Sequence, residues 1–222
     1  MHRRDQIAAN LAGIRARIER AGGDPDAIAV VAVSKGQPAE ACAAAVEAGL
    51  TVLGENRVQE ALDKMDRVPG AAWHLIGHLQ TNKARHAGRF AMVQSLDSAR
   101  LAEALAARGG VAALLEVNVS REAQKHGVAP EAAVATAAAV AGLVDLRGLM
   151  AMGPAAGDPR PAFAELRRLR DEAEQRLGRS LPVLSMGMSE DLEAAVAEGT
   201  TMVRIGRALF GSEHWLETRR GG

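Results

Sequence analysis

The sequence predicts an α/β fold, a single (β/α)₈ barrel of the TIM type spanning residues 1–222 with an extra helix at its N-terminus. Three observations carry this. Eight short apolar stretches alternate with helical ones, and no composition break marks a linker. The apolar stretches are near-continuous, as in parallel strands buried on both faces. Polar residues also gather just after the apolar stretches, where such a barrel places its functional groups. A doubly wound open sheet is the competing architecture; the repeat count of eight favours the barrel. At 222 residues the chain is short for this fold but within its range.

The leading helix is read over Asp5–Ala21, where Ile7, Leu11, Ile14 and Ile18 recur at helical spacing before Gly22-Gly23. Strands are expected at Ile28–Ser34, Thr51–Gly54, Trp73–Gly77, Phe90–Leu96, Ala112–Val119, Leu146–Met150, Val183–Met186 and Met202–Ile205. The helices between them are expected at Ala39–Ala48, Val58–Met65, Asn82–His86, Ala99–Arg108, Glu131–Ala141, Ala162–Leu177 and Glu190–Glu198, with a last one at Arg207–His214. Pro38 opens the second helix, near the position where proline costs least.

Composition narrows the function. Formal net charge is zero and aromatics make up 2%, which argues against a nucleic-acid binder. The longest mostly apolar uncharged run, residues 132–144, is too short to span a bilayer. Basic residues follow Met1 without an apolar core, so no secretory signal is read there. The single cysteine, Cys42, cannot form an internal disulfide, fits a reducing cytoplasm and reads as a small core residue.

The first strand ends on Ser34-Lys35 and turns at Gly36. Four lysines stand against twenty-three arginines, so a lysine here suggests that an amine rather than a charge is needed. An amine walled by apolar neighbours is partly desolvated, which favours its neutral, nucleophilic form and allows a Schiff base. A lysine that caps a buried strand and reaches for water is the plainer alternative.

Further strand ends bring Glu55 and Asn56, His78 and Gln80, Asn118 and Ser120, and Met150–Gly153. After the seventh strand comes Ser185-Met186-Gly187-Met188-Ser189. Gly187 permits close approach of an anion, and Ser189 is a candidate N-cap whose helix start attracts phosphate. Glu190 and Asp191 weaken that reading, because they repel an anion. Arg204 and Gly206 close the eighth strand: an arginine facing the barrel mouth needs an anion or acceptor, and the glycine offers a second close backbone approach. An amine, two glycine-bearing loops and an arginine are what pyridoxal 5'-phosphate (PLP) requires. His74 and His78 lie four apart, but at a strand end with no glutamate after the first, so no metal site is expected. Lys83 and Lys125 are alternative amines that do not end an apolar strand.

The chain resembles the YggS/PROSC family of pyridoxal phosphate homeostasis proteins, which are similar to the barrel domain of alanine racemase. The segments carrying the resemblance are 32–35 (AVSK), 54–60 (GENRVQE), 73–83 (WHLIGHLQTNK), 148–152 (GLMAM), 184–189 (LSMGMS) and 203–206 (VRIG). Leu75, where the family more often has phenylalanine, and Gly153 depart from its pattern without touching the cofactor set. The resemblance implies that Lys35 is the Schiff-base lysine and that Ser185, Met186, Gly187 and Gly206 serve the phosphate. It also implies that Arg204 meets the ring nitrogen and that Asn56 lies near the cofactor.

An arginine at the ring nitrogen leaves that nitrogen unprotonated and the ring a poor electron sink. The resemblance implies that alanine racemases offset this with a lysine and a tyrosine on opposite faces of the substrate carbon. The present chain has no tyrosine. The expectation is therefore a cytoplasmic, monomeric binding protein without catalytic residues that regulates free PLP or delivers it to PLP-dependent apo-enzymes. A PLP-dependent amino-acid racemase is the alternative, and a cofactor-free aldolase acting on a sugar phosphate is the third reading.

Overall fold

Short apolar strands that can be buried on both faces close most readily into a ring when a helix follows each of them. The computed structural model, which describes residues 2–211, has this form. Strands β1 (Ala29–Val33), β2 (Val52–Glu55), β3 (Ala72–Leu75), β4 (Met92–Leu96), β5 (Ala112–Glu116), β6 (Asp145–Met150), β7 (Val183–Ser185) and β8 (Met202–Ile205) pair in parallel and in chain order. The ring closes between β8 and β1, with Val31 opposite Arg204.

Helices α1 (Arg3–Arg20), α2 (Ala39–Glu47), α3 (Val58–Met65), α4 (Ala99–Ala106), α5 (Pro130–Val140), α6 (Arg160–Leu177), α7 (Leu192–Ala197) and α8 (Arg207–Phe210) surround it. The leading helix buries Ile7, Leu11, Ile14 and Ile18 and packs on α2, α7 and α8, covering the seam where the last strand meets the first. Asn10 donates to the Leu209 carbonyl at 2.8 Å, and Arg17 pairs with Glu193 at 2.7 Å. No helix among the described residues is long and apolar enough to cross a membrane. Cys42 is fully buried in α2, where burial pushes its thiol up to about 11.

Several boundaries differ from the sequence reading. The helix expected at Asn82–His86 is a 3-10 run over Thr81–Arg89, and its buried residues Ala84 and Ala87 are three apart, the period of that tighter helix. The fifth strand ends at Glu116, because Val117–Val119 leave the sheet into a loop. The helix after β7 starts at Leu192, with Asp191 rather than Ser189 at its N-cap position and no side-chain cap bond. The final helix is described through Phe210; the remainder of Arg207–His214 lies outside the described residues.

A hydrogen-bonded chain of polar side chains runs through the barrel interior. Gln94 on β4 lies 2.9 Å from His74 Nδ1 on β3 and accepts from the Ser185 hydroxyl at 2.8 Å. Ser185 Oγ in turn accepts from the Arg204 guanidinium at 2.7 Å. Because the Gln94 carbonyl takes the hydroxyl proton, its amide nitrogen faces His74, whose Nδ1 is then the acceptor of a neutral ring. Burial alone pushes His74 down to about 4, which agrees with that neutral form.

Candidate functional site

Beyond Val33 the chain makes a tight turn in which the Gln37 amide donates to the Ser34 carbonyl at 3.0 Å. Gly36 sits at φ +73°, a backbone region that side chains with a Cβ rarely enter, so glycine is what this turn needs. Lys35 occupies the corner and is exposed at the barrel mouth rather than walled by apolar side chains. The expected apolar walls are absent because the residue lies two positions past the strand, on the turn.

The peptide groups flanking Lys35 are held from below. Lys64 Nζ on α3 donates to the Ser34 carbonyl at 2.9 Å, to Glu55 Oε1 at 2.7 Å and to Glu60 Oε1 at 2.8 Å. Glu60 Oε1 accepts the Gly36 amide at 2.6 Å, and Ser34 Oγ donates to Glu55 at 2.7 Å. Burial pushes the Glu55 carboxyl up against the opposing pull of Lys64. The Glu55 Oε2 atom is buried without a partner. Three ionic groups thus fix the turn that presents one amine.

Arg204 rises from β8 and is 4% exposed. Its guanidinium donates to the Ser185 carbonyl at 3.0 Å, to the Ser185 hydroxyl and to the Ala151 carbonyl at 2.8 Å, all neutral acceptors. Burial lowers it to about 10, opposed by Glu116 and Asp191, so it is a cation at neutral pH. Glu116, at the end of β5, is 3% exposed, and its Oε2 is buried without a partner. Burial raises its carboxyl to about 7, against the pull of Arg204.

Lys35, Asn56, Glu116, Arg204 and Gly206 line one cavity of about 570 Å³, within the size range of small-molecule sites. Arg57, His78, His126, Ser189, Glu190 and Arg207 complete its rim, and Arg207 pairs with Glu190.

Ser185, Met186 and Gly187 lie behind this wall. The Ser185 hydroxyl is committed to Gln94 and Arg204 inside the barrel. Met186 is buried, with its amide on the Met202 carbonyl and its own carbonyl taking the Thr200 hydroxyl. Gly187 adopts φ +97°, and a Cβ there would stand 2.5 Å from the Ala195 Cβ, so a side chain is excluded by backbone and by space. Its carbonyl accepts the Arg204 amide at 3.0 Å, tying the loop to β8. Asp191 Oδ1 accepts the Met188 amide at 2.6 Å, which occupies one loop donor.

His74 and His78 separate completely, one inside the barrel and the other at the cavity with its Nδ1 3.0 Å from Asp97 Oδ2. Asn118 turns away to donate to the Glu122 and Lys125 carbonyls. Glu116 is hidden in the sequence because Val117-Asn118-Val119 extends the apolar alternation of the fifth strand, which places its expected end three residues later, beside Asn118 and Ser120. The Glu60–Lys64 pair was visible as an i,i+4 spacing on a helix, but only the fold shows that it faces the turn.

The residues present suit a phosphorylated aldehyde: an accessible amine, a buried guanidinium without a carboxylate bonded to it, and a buried carboxyl oxygen with no partner, on one cavity. Residues 3–214 match the family described as alanine racemase, N-terminal domain. A pyridoxal phosphate homeostasis protein of Pseudomonas aeruginosa is 44% identical over 223 residues, covering 94% of this chain and 96% of the relative. The protein of that name in Escherichia coli K12 is 40% identical over 231 residues, covering 95% and 98%. The solved structure of PipY from Synechococcus elongatus with PLP bound superposes with a TM-score of 0.81 at 35% identity, covering 92% of this chain and all of that one. Alanine racemase from Corynebacterium glutamicum, at 19% identity and TM-score 0.73, shares the fold over 96% of this chain and 64% of its own.

Proposed function

Because the chain belongs to the alanine racemase N-terminal domain family, and to its branch of pyridoxal phosphate homeostasis proteins, we propose that it binds PLP reversibly and acts in the homeostasis of that cofactor. The observation that carries the reading is the shared cavity of Lys35 and Arg204. Lys35 supplies the amine for the cofactor's aldehyde, presented by a turn that Lys64 and Glu60 keep in place. Arg204 supplies a fixed cationic donor for the ring end, and the backbone at Ser189 and Gly206 borders the cavity where a phosphate is expected. When bound, PLP would supply an electrophilic carbon and an electron sink; an arginine at the ring nitrogen donates a hydrogen bond without giving up its proton, which weakens that sink.

In the reading as a carrier, the chain holds the cofactor and surrenders it to apo-enzymes that depend on it. The absence of tyrosine from the sequence supports this over racemisation. The test is transfer: loaded protein is mixed directly with an apo-enzyme of the PLP class. Recovery of the apo-enzyme's activity faster than from an equal amount of free, buffered cofactor supports delivery; no recovery contradicts it.

One observation favours a second reading, an amino-acid racemase or exchange activity. His78, oriented by Asp97 at 3.0 Å, lines the same cavity as Lys35. Incubating the loaded protein with L-amino acids in heavy water distinguishes the two. Deuterium at the α-carbon favours the enzyme; its absence favours the carrier.

A further inference from the structure

His78, Asp97 and His126 come from the segments that follow three consecutive strands, β3, β4 and β5, and converge beside the cavity that His78 and His126 line. One ligating atom from each lies within 4.8 Å of the others. His78 Nδ1 and Asp97 Oδ2 are 3.0 Å apart, and the two imidazole rings stack at 4.3 Å with 12° between their planes. Bonds of about 2.0–2.2 Å to nitrogen and oxygen put neighbouring ligands about 3–3.6 Å apart. The His78–Asp97 edge already meets this, and the remaining edges lie within 4.8 Å.

The groups are held in ways that suit ligands. Ser98 Oγ donates to Asp97 Oδ1 at 3.1 Å, fixing one carboxylate oxygen and leaving the other for His78. The loop carrying His126 is pinned on both sides: Asn118 N bonds the Val128 carbonyl and Val128 N bonds the Glu116 carbonyl, each at 2.9 Å. Among the described residues His126 has only its ring contact with His78.

We propose that His78, Asp97 and His126 form a binding site for a divalent transition-metal ion of the zinc type, its remaining positions open to the cavity. Two imidazoles and one carboxylate, with further positions vacant, are a donor set for such ions rather than for magnesium or calcium, which favour all-oxygen sites. The inference is independent of the PLP reading.

The test uses the full chain freed of cofactor, titrated with zinc chloride by calorimetry and with cobalt(II) by visible absorption. The expected result is one ion per chain with a Kd tighter than about 100 μM. Cobalt should give ligand-field bands without thiolate charge transfer, since Cys42 is buried. Affinity should fall at least about tenfold in both His126→Ala and Asp97→Asn. His126 is exposed, so its replacement leaves the fold intact, and Asp97→Asn keeps the contact to Ser98. Absence of saturable binding, or binding unchanged in either variant, overturns the proposal.

Discussion

Lys64 Nζ donates to the carbonyl of Ser34 at 2.9 Å, so one lysine holds the peptide that presents another. Glu60, bonded to the same ammonium, takes the Gly36 amide on the far side of Lys35. The turn is thus clamped before and after the reactive residue by groups drawn from one helix.

Lys64→Met should be costly, because it strands Glu55 and Glu60 beside each other with their shared cation gone. Removing one partner of a buried ionic group typically costs about 3–5 kcal/mol. For a chain of this size, that lowers the melting temperature by about 10 °C. Lys64→Met combined with Glu55→Gln should recover part of the loss in thermal melts; no recovery would mean that the charge on Glu55 is not the cause.

Arg204→Lys keeps a positive charge but cannot reproduce three directed donations to Ser185 and Ala151. Hydrogen bonds from charged groups contribute about 1.5–3 kcal/mol each, so loss of the one that the proposed reading gives to the cofactor ring is expected to weaken binding about 10- to 100-fold. Fluorescence or absorbance titration of the variant with PLP measures this, and unchanged affinity would remove Arg204 from the site.

The barrel, the leading helix and four cavity residues, Lys35, Asn56, Arg204 and Gly206, were legible in the residues. Apolar runs punctuated by Gly, Pro and polar ends reveal where strands stop, and the stop after Val33 exposes Lys35 directly. Arg204 was legible as a charge between Val203 and Ile205 that needs an acceptor, although the side it faces had to come from the closed ring. Glu116 was not, since Glu-Val-Asn-Val continues the strand pattern and only the sheet's register ends it. The interior chain from His74 to Arg204 joins β3, β4, β7 and β8; no local spacing encodes contacts between residues so far apart in sequence.

Two buried groups should give opposite pH dependences of stability. His74, lowered to about 4, binds its proton more weakly folded than unfolded, so stability falls as pH drops from about 6.5 to 4. Glu116, raised to about 7, binds its proton more tightly folded, so stability falls as pH rises from about 4.5 to 7. Each has a limiting slope of about 1.4 kcal/mol per pH unit, and in the overlap they nearly cancel. Denaturant unfolding between pH 4.5 and 7 should therefore be steeper on the acid side for Glu116→Gln, and reversed in sign for His74→Gln. Parallel profiles for both variants would refute the assignment.

Gly187→Ala should lose both stability and cofactor affinity. The backbone there is at φ +97° and the added methyl meets Ala195, so the loop joined to the Arg204 amide must shift. A strained backbone position costs about 1–3 kcal/mol before the overlap is counted. A melt and a PLP titration on the same sample check it; a variant that melts and binds like the parent would show the loop to be loose.

The central claim is that the Lys35 amine carries the cofactor. Purified protein loaded with PLP, reduced with borohydride and digested, should carry the pyridoxyl group on the peptide containing Lys35, and Lys35→Ala should carry none. A label on Lys64, Lys83 or Lys125 instead, or undiminished labelling of Lys35→Ala, would contradict the account.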